Sequence, residues 1–267
     1  MTLVHWDDVP SVDGVGVGLR RVRLGDGEPL AQPYAHAGDE EIVHVLGGAG
    51  TLWQDGRTCP IGPGDTAVFA AGGPLHTAIG GDGGLDALVF ETRRRPESRR
   101  DGAFADGEPG DAPANLRRLE DAPSEYGGIA RYLARGLGRL TGLNRFALPA
   151  GEEGAPPHCH SADEELFVVL EGDGFLELWH PAHPEHAVQS EPQETLALRP
   201  GHVVSRPPAS RVPHSFRAGP NGLMYLAYGT REPNDLCWYP RSNKVYLRGL
   251  GVMARLELLS YADGEPE

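Results

Sequence analysis

The sequence predicts an all-β protein made of two tandem barrel- or sandwich-like domains joined by a charged linker. Three observations carry that expectation. The chain repeats itself over a long period, its apolar runs are short and β-rich, and its abundant Gly (37) and Pro (24) fall between those runs.

The repeat is direct. Residues 18–50 lie over residues 142–174 without a gap, an offset of 124 (142 − 18), and 16 of the 33 positions are identical. The identities include His36/His160, Glu41/Glu165, Gly48/Gly172 and Gly50/Gly174. Further on, Pro63-Gly64 matches Pro200-Gly201, and His76 matches His214 at an offset of 138 (214 − 76). The two offsets differ by about 14 residues, which fit the His- and Pro-rich stretch 179–194 of the second copy. A period this long means two whole domains rather than a solenoid. The predicted organisation is a first barrel over 1–95, a linker over 96–115, a second barrel over 116–232 and a C-terminal extension over 233–267. The extension has no alignable counterpart in the first copy. Residues 93–115 are charged, Pro/Gly-rich and nearly free of large apolar side chains, which reads as a linker. Their five arginines read as a solvated run rather than a binding patch.

Within each copy the same strands recur. Residues 41–46 (EIVHVL) and 165–170 (ELFVVL) are short apolar runs closed by Gly-rich turns. Residues 65–70 and 202–206 follow the Pro-Gly pair, and 85–90 and 223–228 form a later strand. Strands of this length with turns at short intervals belong to antiparallel sandwiches and barrels.

Composition bounds the partners. A formal charge of −14 repels phosphate backbones and anionic lipid, so nucleic acid and membrane surfaces are poor partners. No apolar run approaches the roughly 18 residues of a membrane span, and the acidic N-terminus MTLVHWDDVP does not read as a signal peptide. Cys59, Cys159 and Cys237 are odd in number and form no CxxC, which fits a reduced, cytoplasmic protein. The expected partner is a small-molecule substrate, with a homodimer left open.

The second copy carries a set of metal ligands. His158 and His160 stand at i and i+2 on a strand and so share a face. Glu165 opens the next strand; if it faces inward, Phe167 and Val169 do too. A third histidine, His214, follows in PPASRVPHSF. Imidazole nitrogen with carboxylate oxygen suits first-row divalent metals.

At this point the chain resembles the cupin superfamily. Its first motif reads Gly, five residues, His-x-His, three or four residues, Glu, six residues, Gly. Residues 151–172 are similar to it, with the histidines one place further from Gly151. The second motif has Pro-x-Gly before a single His; residues 207–214 match it at Pro207 and His214, but Ser210 and Arg211 interrupt and the glycine is absent. The resemblance covers nearly the whole chain twice, as in a bicupin. It implies two jelly-roll barrels, with one divalent transition metal (Fe, Mn, Ni, Cu or Zn) on His158, His160, Glu165 and His214. In the bland alternative those histidines only hydrogen-bond, yet three His and one Glu are expensive to bury unpaired.

In the first copy the aligned residues are Tyr34, His36, Glu41 and His76. They read as a weaker second site or, as we expect, a scaffold, because a protonated phenol is a poor ligand at neutral pH. A tyrosine there is expected to donate a hydrogen bond to Glu41. Several other residues take ordinary roles: Cys159 points away from the metal and packs; His180, His183 and His186 sit in the insertion without ligand spacing; His44 is an outer-layer residue; Arg145, Arg206 and Arg211 form surface salt bridges by default. The aromatic and cationic stretch NDLCWYPRSNKVYLRG covers a barrel mouth, completes a sheet or forms a dimer contact. With no general base apparent, the expected function is an oxidoreductase of dioxygenase type acting at the second barrel. The alternatives are a non-redox isomerase or decarboxylase, where the metal polarises a carbonyl, and a non-catalytic small-molecule-binding bicupin.

Overall fold

A computed structural model describes residues 1–93, 99–104, 107–181, 189–257 and 259–264. Its regular structure is almost entirely strand, and none of its helices is long and apolar enough to cross a membrane. The chain forms two compact units. One comprises Val4–Arg145 with Ala227–Thr230; the other comprises Met1–Leu3, Phe146–Leu226 and Arg231–Glu267.

In the first unit, strands Arg57–Ile61, Glu41–Gln54, His76–Thr92 and Val17–Leu24 lie side by side in that order. Glu41 pairs with Phe69, and Tyr34 pairs with His76. Strand periodicity explains the inward carboxylate. Val43 and Val45 belong to a buried apolar cluster with Leu52, Phe69, Ala87 and Val89, and Glu41 has their parity. Ile42 and His44, on the opposite face, are buried as well, with Ile42 at 0 % exposure.

The second unit repeats the arrangement. Strand Glu165–Leu178 lies between His202–Arg206 and His214–Thr230. Glu165 pairs with Arg206, and His158 bridges His214. The glycine that ends each cupin-like motif has a steric reason. Gly48 and Gly172 have φ of +76° and +77°, and a Cβ on either would come within 2.1 Å of the carbonyl oxygen of Gly84 or Gly222. Only glycine meets both demands.

Two stretches have more structure than their composition suggests. Within 96–115, Arg99–Asp101 pairs with Tyr34–His36, and Glu108–Pro109 runs parallel to Arg57–Ile61. The linker expected there is thus partly stitched to the first unit, because backbone pairing is indifferent to side-chain charge. The division between compact units falls instead within strand Thr141–Leu148. The C-terminal extension also has a counterpart after all. Its strand Leu236–Tyr239 pairs with Cys159–His160, matching His160 to Cys237, as Arg99 is matched to His36. Cys237 and Arg99 are 138 residues apart (237 − 99), the offset that relates His214 to His76. Lys244–Leu247 and Val252–Arg255 continue this small sheet, so the apolar run after 251 begins as a strand.

Candidate metal centre

The four residues singled out in the second copy gather at one place. The bridge between His158 and His214 is closed by two backbone hydrogen bonds of 3.0 and 2.8 Å, which set their rings 4.8 Å apart. Possible ligand atoms of His158, Glu165 and His214 all lie within 4.8 Å of one another. Glu165 Oε2 is 3.4 Å from His214 Nε2, and Glu165 Oε1 is 3.8 Å from His160 Nε2. Phe167, on the face of Glu165, packs edge-on against His214 with centroids 5.3 Å apart.

Hydrogen bonds orient the rings. His158 Nδ1 donates to Pro156 O at 2.8 Å, which leaves Nε2 as the lone-pair nitrogen. His160 Nδ1 faces Asp235 Oδ2 at 2.7 Å, an arrangement that carboxylates use to orient metal-bound imidazoles. His214 is 2 % exposed, yet neither of its ring nitrogens has a hydrogen-bond partner among the described residues. Glu165 likewise accepts no hydrogen bond among the described residues.

The electrostatics suit a cation. Burial holds His214 well below the ordinary imidazole value and lowers His158, so both keep neutral, lone-pair-bearing rings. Burial also pulls His160 down, but the Glu165 and Asp235 carboxylates outweigh it and push it up to about 12. A group that retains a proton so strongly sits where positive charge is favoured. A buried imidazole with no hydrogen-bond partner among the described residues, beside a carboxylate that accepts none there, fits a divalent transition metal.

The first copy is chemically closed. Tyr34 donates its hydroxyl to both oxygens of Glu41, at 2.8 and 2.9 Å. His36 Nε2 and His76 Nε2 approach the same carboxylate at 3.4 and 3.2 Å. Burial would raise Glu41, but hydrogen bonds from His36, His76 and Tyr34 hold it down at about 2. The hydrogen bond expected of Tyr34 is therefore present, and this carboxylate is satisfied where Glu165 is not.

Asp235, Cys237 and Tyr239 were not legible as site residues. Asp235 is fully buried, holds His160, and accepts from the backbone N–H groups of Ala162 and Asp163. Cys237 Sγ lies 3.9 Å from His160 Nε2, and Tyr239 stacks on His158 at 5.9 Å. The offset of 138 carried into the extension is the one signal that places this strand beside His160.

Other expectations are corrected. Cys159 lines a small cavity with His160, Glu165 and His214, although burial pushes its thiol up to about 12 and keeps it protonated. His44 is buried, with Nδ1 2.9 Å from Thr66 Oγ1, and burial lowers it to about 4. Arg206 is 4 % exposed and forms no salt bridge with a carboxylate among the described residues. His180 bonds Gln189 through its backbone, while His183 and His186 lie outside the described residues. The loop before His214 lacks the expected glycine, and Ala209 and Arg211 take left-handed φ of 53° and 62° there.

Comparison with known proteins agrees with the fold. The Cupin domain family matches residues 20–91. The oxalate decarboxylase of Lactobacillus farciminis, in its formate complex, superposes with a TM-score of 0.60 at 12% identity, covering 86% of each chain. Salicylate 1,2-dioxygenase from Pseudaminobacter salicylatoxidans gives 0.59 at 15% identity, covering 81% of this chain and 71% of that one. Ribosomal oxygenase 2 of Bos taurus is 33% identical over 103 residues, 37% of this chain and 19% of its own. The chain spans about a fifth of the length of the curated relatives it matches.

Proposed function

This chain belongs to the cupin superfamily as a two-barrel member, and from that premise we propose that it is a metal-dependent oxidoreductase of dioxygenase type. One divalent transition metal is held by His158, His160, Glu165 and His214, and a small organic molecule reacts beside it. The observation that carries this is His214, a buried imidazole whose two nitrogens have no hydrogen-bond partner among the described residues and whose Nε2 lies 3.4 Å from a carboxylate that accepts no hydrogen bond there either. Left without a metal, those groups would each carry a desolvation cost of about 1–3 kcal/mol.

When bound, the metal supplies adjacent open positions for a chelating substrate, or for substrate and dioxygen. The chain's own residues orient and exclude. Asp235 and Pro156 O fix the His160 and His158 rings, while Phe167 and Tyr239 keep water from their faces. A mechanism that needs a general base is less well served. Asp163, the other carboxylate lining the small cavity, is engaged by the backbone N–H of Glu232 and by Arg248. That favours oxygen or chelate chemistry over isomerase or decarboxylase chemistry.

The test begins with elemental analysis of protein purified without added metal, followed by oxygen uptake of the iron-loaded protein with catechol and dione compounds. About one metal per chain with substrate-dependent oxygen consumption is expected. Product release without oxygen uptake would replace the dioxygenase reading by the non-redox one. Failure to bind any metal would overturn the proposal.

A further inference from the structure

We infer that Arg206 is the anion-binding residue of the second barrel, and that the substrate of this site is a small organic carboxylate held on its guanidinium beside the metal ligands. This deepens the proposed function and rests on its metal centre. Charged side chains are almost never buried unless paired, and Arg206 is 4 % exposed. It forms no salt bridge with a carboxylate among the described residues. Its described hydrogen bonds run from Nη2 alone, to Ser210 Oγ at 3.3 Å and to Val212 O. Among the described residues its Nε and Nη1 have no partner, and each offers a charge-assisted N–H to a carboxylate oxygen.

Register places that guanidinium beside the ligands. Arg206 is the strand partner of Glu165, just as Phe69 is the strand partner of Glu41. Phe69 stacks flat on His76 at 3.5 Å, in the barrel whose carboxylate is already satisfied. The arginine therefore accompanies the complete ligand set and an apolar ring accompanies the closed one. Charge points the same way. Set a divalent ion, Arg206 and Arg248 against Glu165, Asp163 and Asp235, and one positive charge is left over. A monocarboxylate cancels it.

The space around Arg206 suits a small molecule. With Ser210 it lines the cavity of about 10 Å³ that touches His160, Glu165 and His214, which is room for one water-sized group. The same two residues also line a pocket of about 530 Å³ whose walls include Leu178 and Val212. That volume lies within the usual range of small-molecule sites. Among the described residues, exposed Glu194 is the one carboxylate on its wall. Arg206 thus spans the step between the larger pocket and the ligands, where a carboxylate passing from one to the other would meet it.

The test is calorimetric titration of zinc-loaded protein with benzoate, using benzamide as the uncharged analogue of the same shape. Wild type, Arg206→Phe and Arg206→Lys are compared, with zinc content and circular dichroism measured on each sample. Wild type is expected to bind benzoate at least about tenfold more tightly than benzamide, and Arg206→Phe to lose at least about tenfold in benzoate affinity at unchanged zinc content. Arg206→Lys keeps the charge but replaces the several fixed guanidinium donors with one ammonium, so an intermediate loss is expected. Failure of wild type to bind benzoate, equal affinity for benzamide, or an undiminished Arg206→Phe would overturn the inference. If Arg206→Phe does not fold, Arg206→Lys decides: affinity equal to wild type overturns it. A wild type that takes up no zinc sinks the metal proposal through the elemental analysis alone, and the benzoate titration still decides the role of Arg206.

Discussion

Replacing Tyr34 by histidine should open the first barrel to metal. In wild type the Tyr34 hydroxyl reaches both oxygens of Glu41, and His36 and His76 approach the same carboxylate at 3.4 and 3.2 Å. Tyr34→His removes the phenol from a position strand-paired with His76, as His158 is paired with His214. The loss of a hydrogen bond to a buried carboxylate costs about 1.5–3 kcal/mol, so the metal-free variant should unfold more easily than wild type by about 2 kcal/mol. Zinc should reverse the deficit. At a free concentration one hundred times Kd, binding to the folded state alone returns about 2.7 kcal/mol. The assay is zinc content by elemental analysis together with thermal unfolding, wild type and variant side by side, with and without zinc. The expected stoichiometry is about one in wild type and close to two in the variant, with zinc raising the variant's Tm more than that of wild type. Two metals in wild type, or no gain in the variant, would refute the reasoning that Tyr34 closes this site.

Further outcomes follow from particular contacts. His158→Ala and Glu165→Ala should strip the metal with only modest loss of secondary structure, because the core is otherwise apolar; full metal occupancy in either variant would count against the ligand assignment. Asp235→Asn should weaken metal affinity about 10- to 100-fold without removing a ligand, as seen in competition with a chelator of known affinity. Ala209→Gly should raise stability by about 1 kcal/mol in thermal unfolding, since φ of 53° strains alanine but not glycine. Glu41 is depressed from 4.5 to about 2, so its contribution is fully present above pH 4.5 and is lost as pH falls toward 2. Between those limits wild type should lose about 3 kcal/mol more than Glu41→Gln in denaturant titrations.

Sequence by itself determined the all-β fold, the doubling of the chain and which four residues are proposed as the ligand quartet. Those features live in local spacing. Alternation along Glu165–Leu178 decides which way Glu165 faces, a two-residue step puts His158 and His160 on one side, and the motif-ending Gly172 answers a backbone approach that no other residue tolerates. The hydrogen bond from Tyr34 to Glu41 was readable for the same reason, since both residues occupy aligned positions. What only the tertiary structure decided is remote in the chain. Asp235 meets His160 across 75 residues, and Leu236–Tyr239 reaches Cys159–His160 by strand pairing that leaves no periodic trace in composition. Residues 99–101 pair despite their charges, because the backbone forms the ladder and side chains only decorate it. Arg206 looked like a surface cation because charge usually implies solvent. Its register opposite Glu165 carries it inside, where desolvation turns an ordinary arginine into a group that needs an anion.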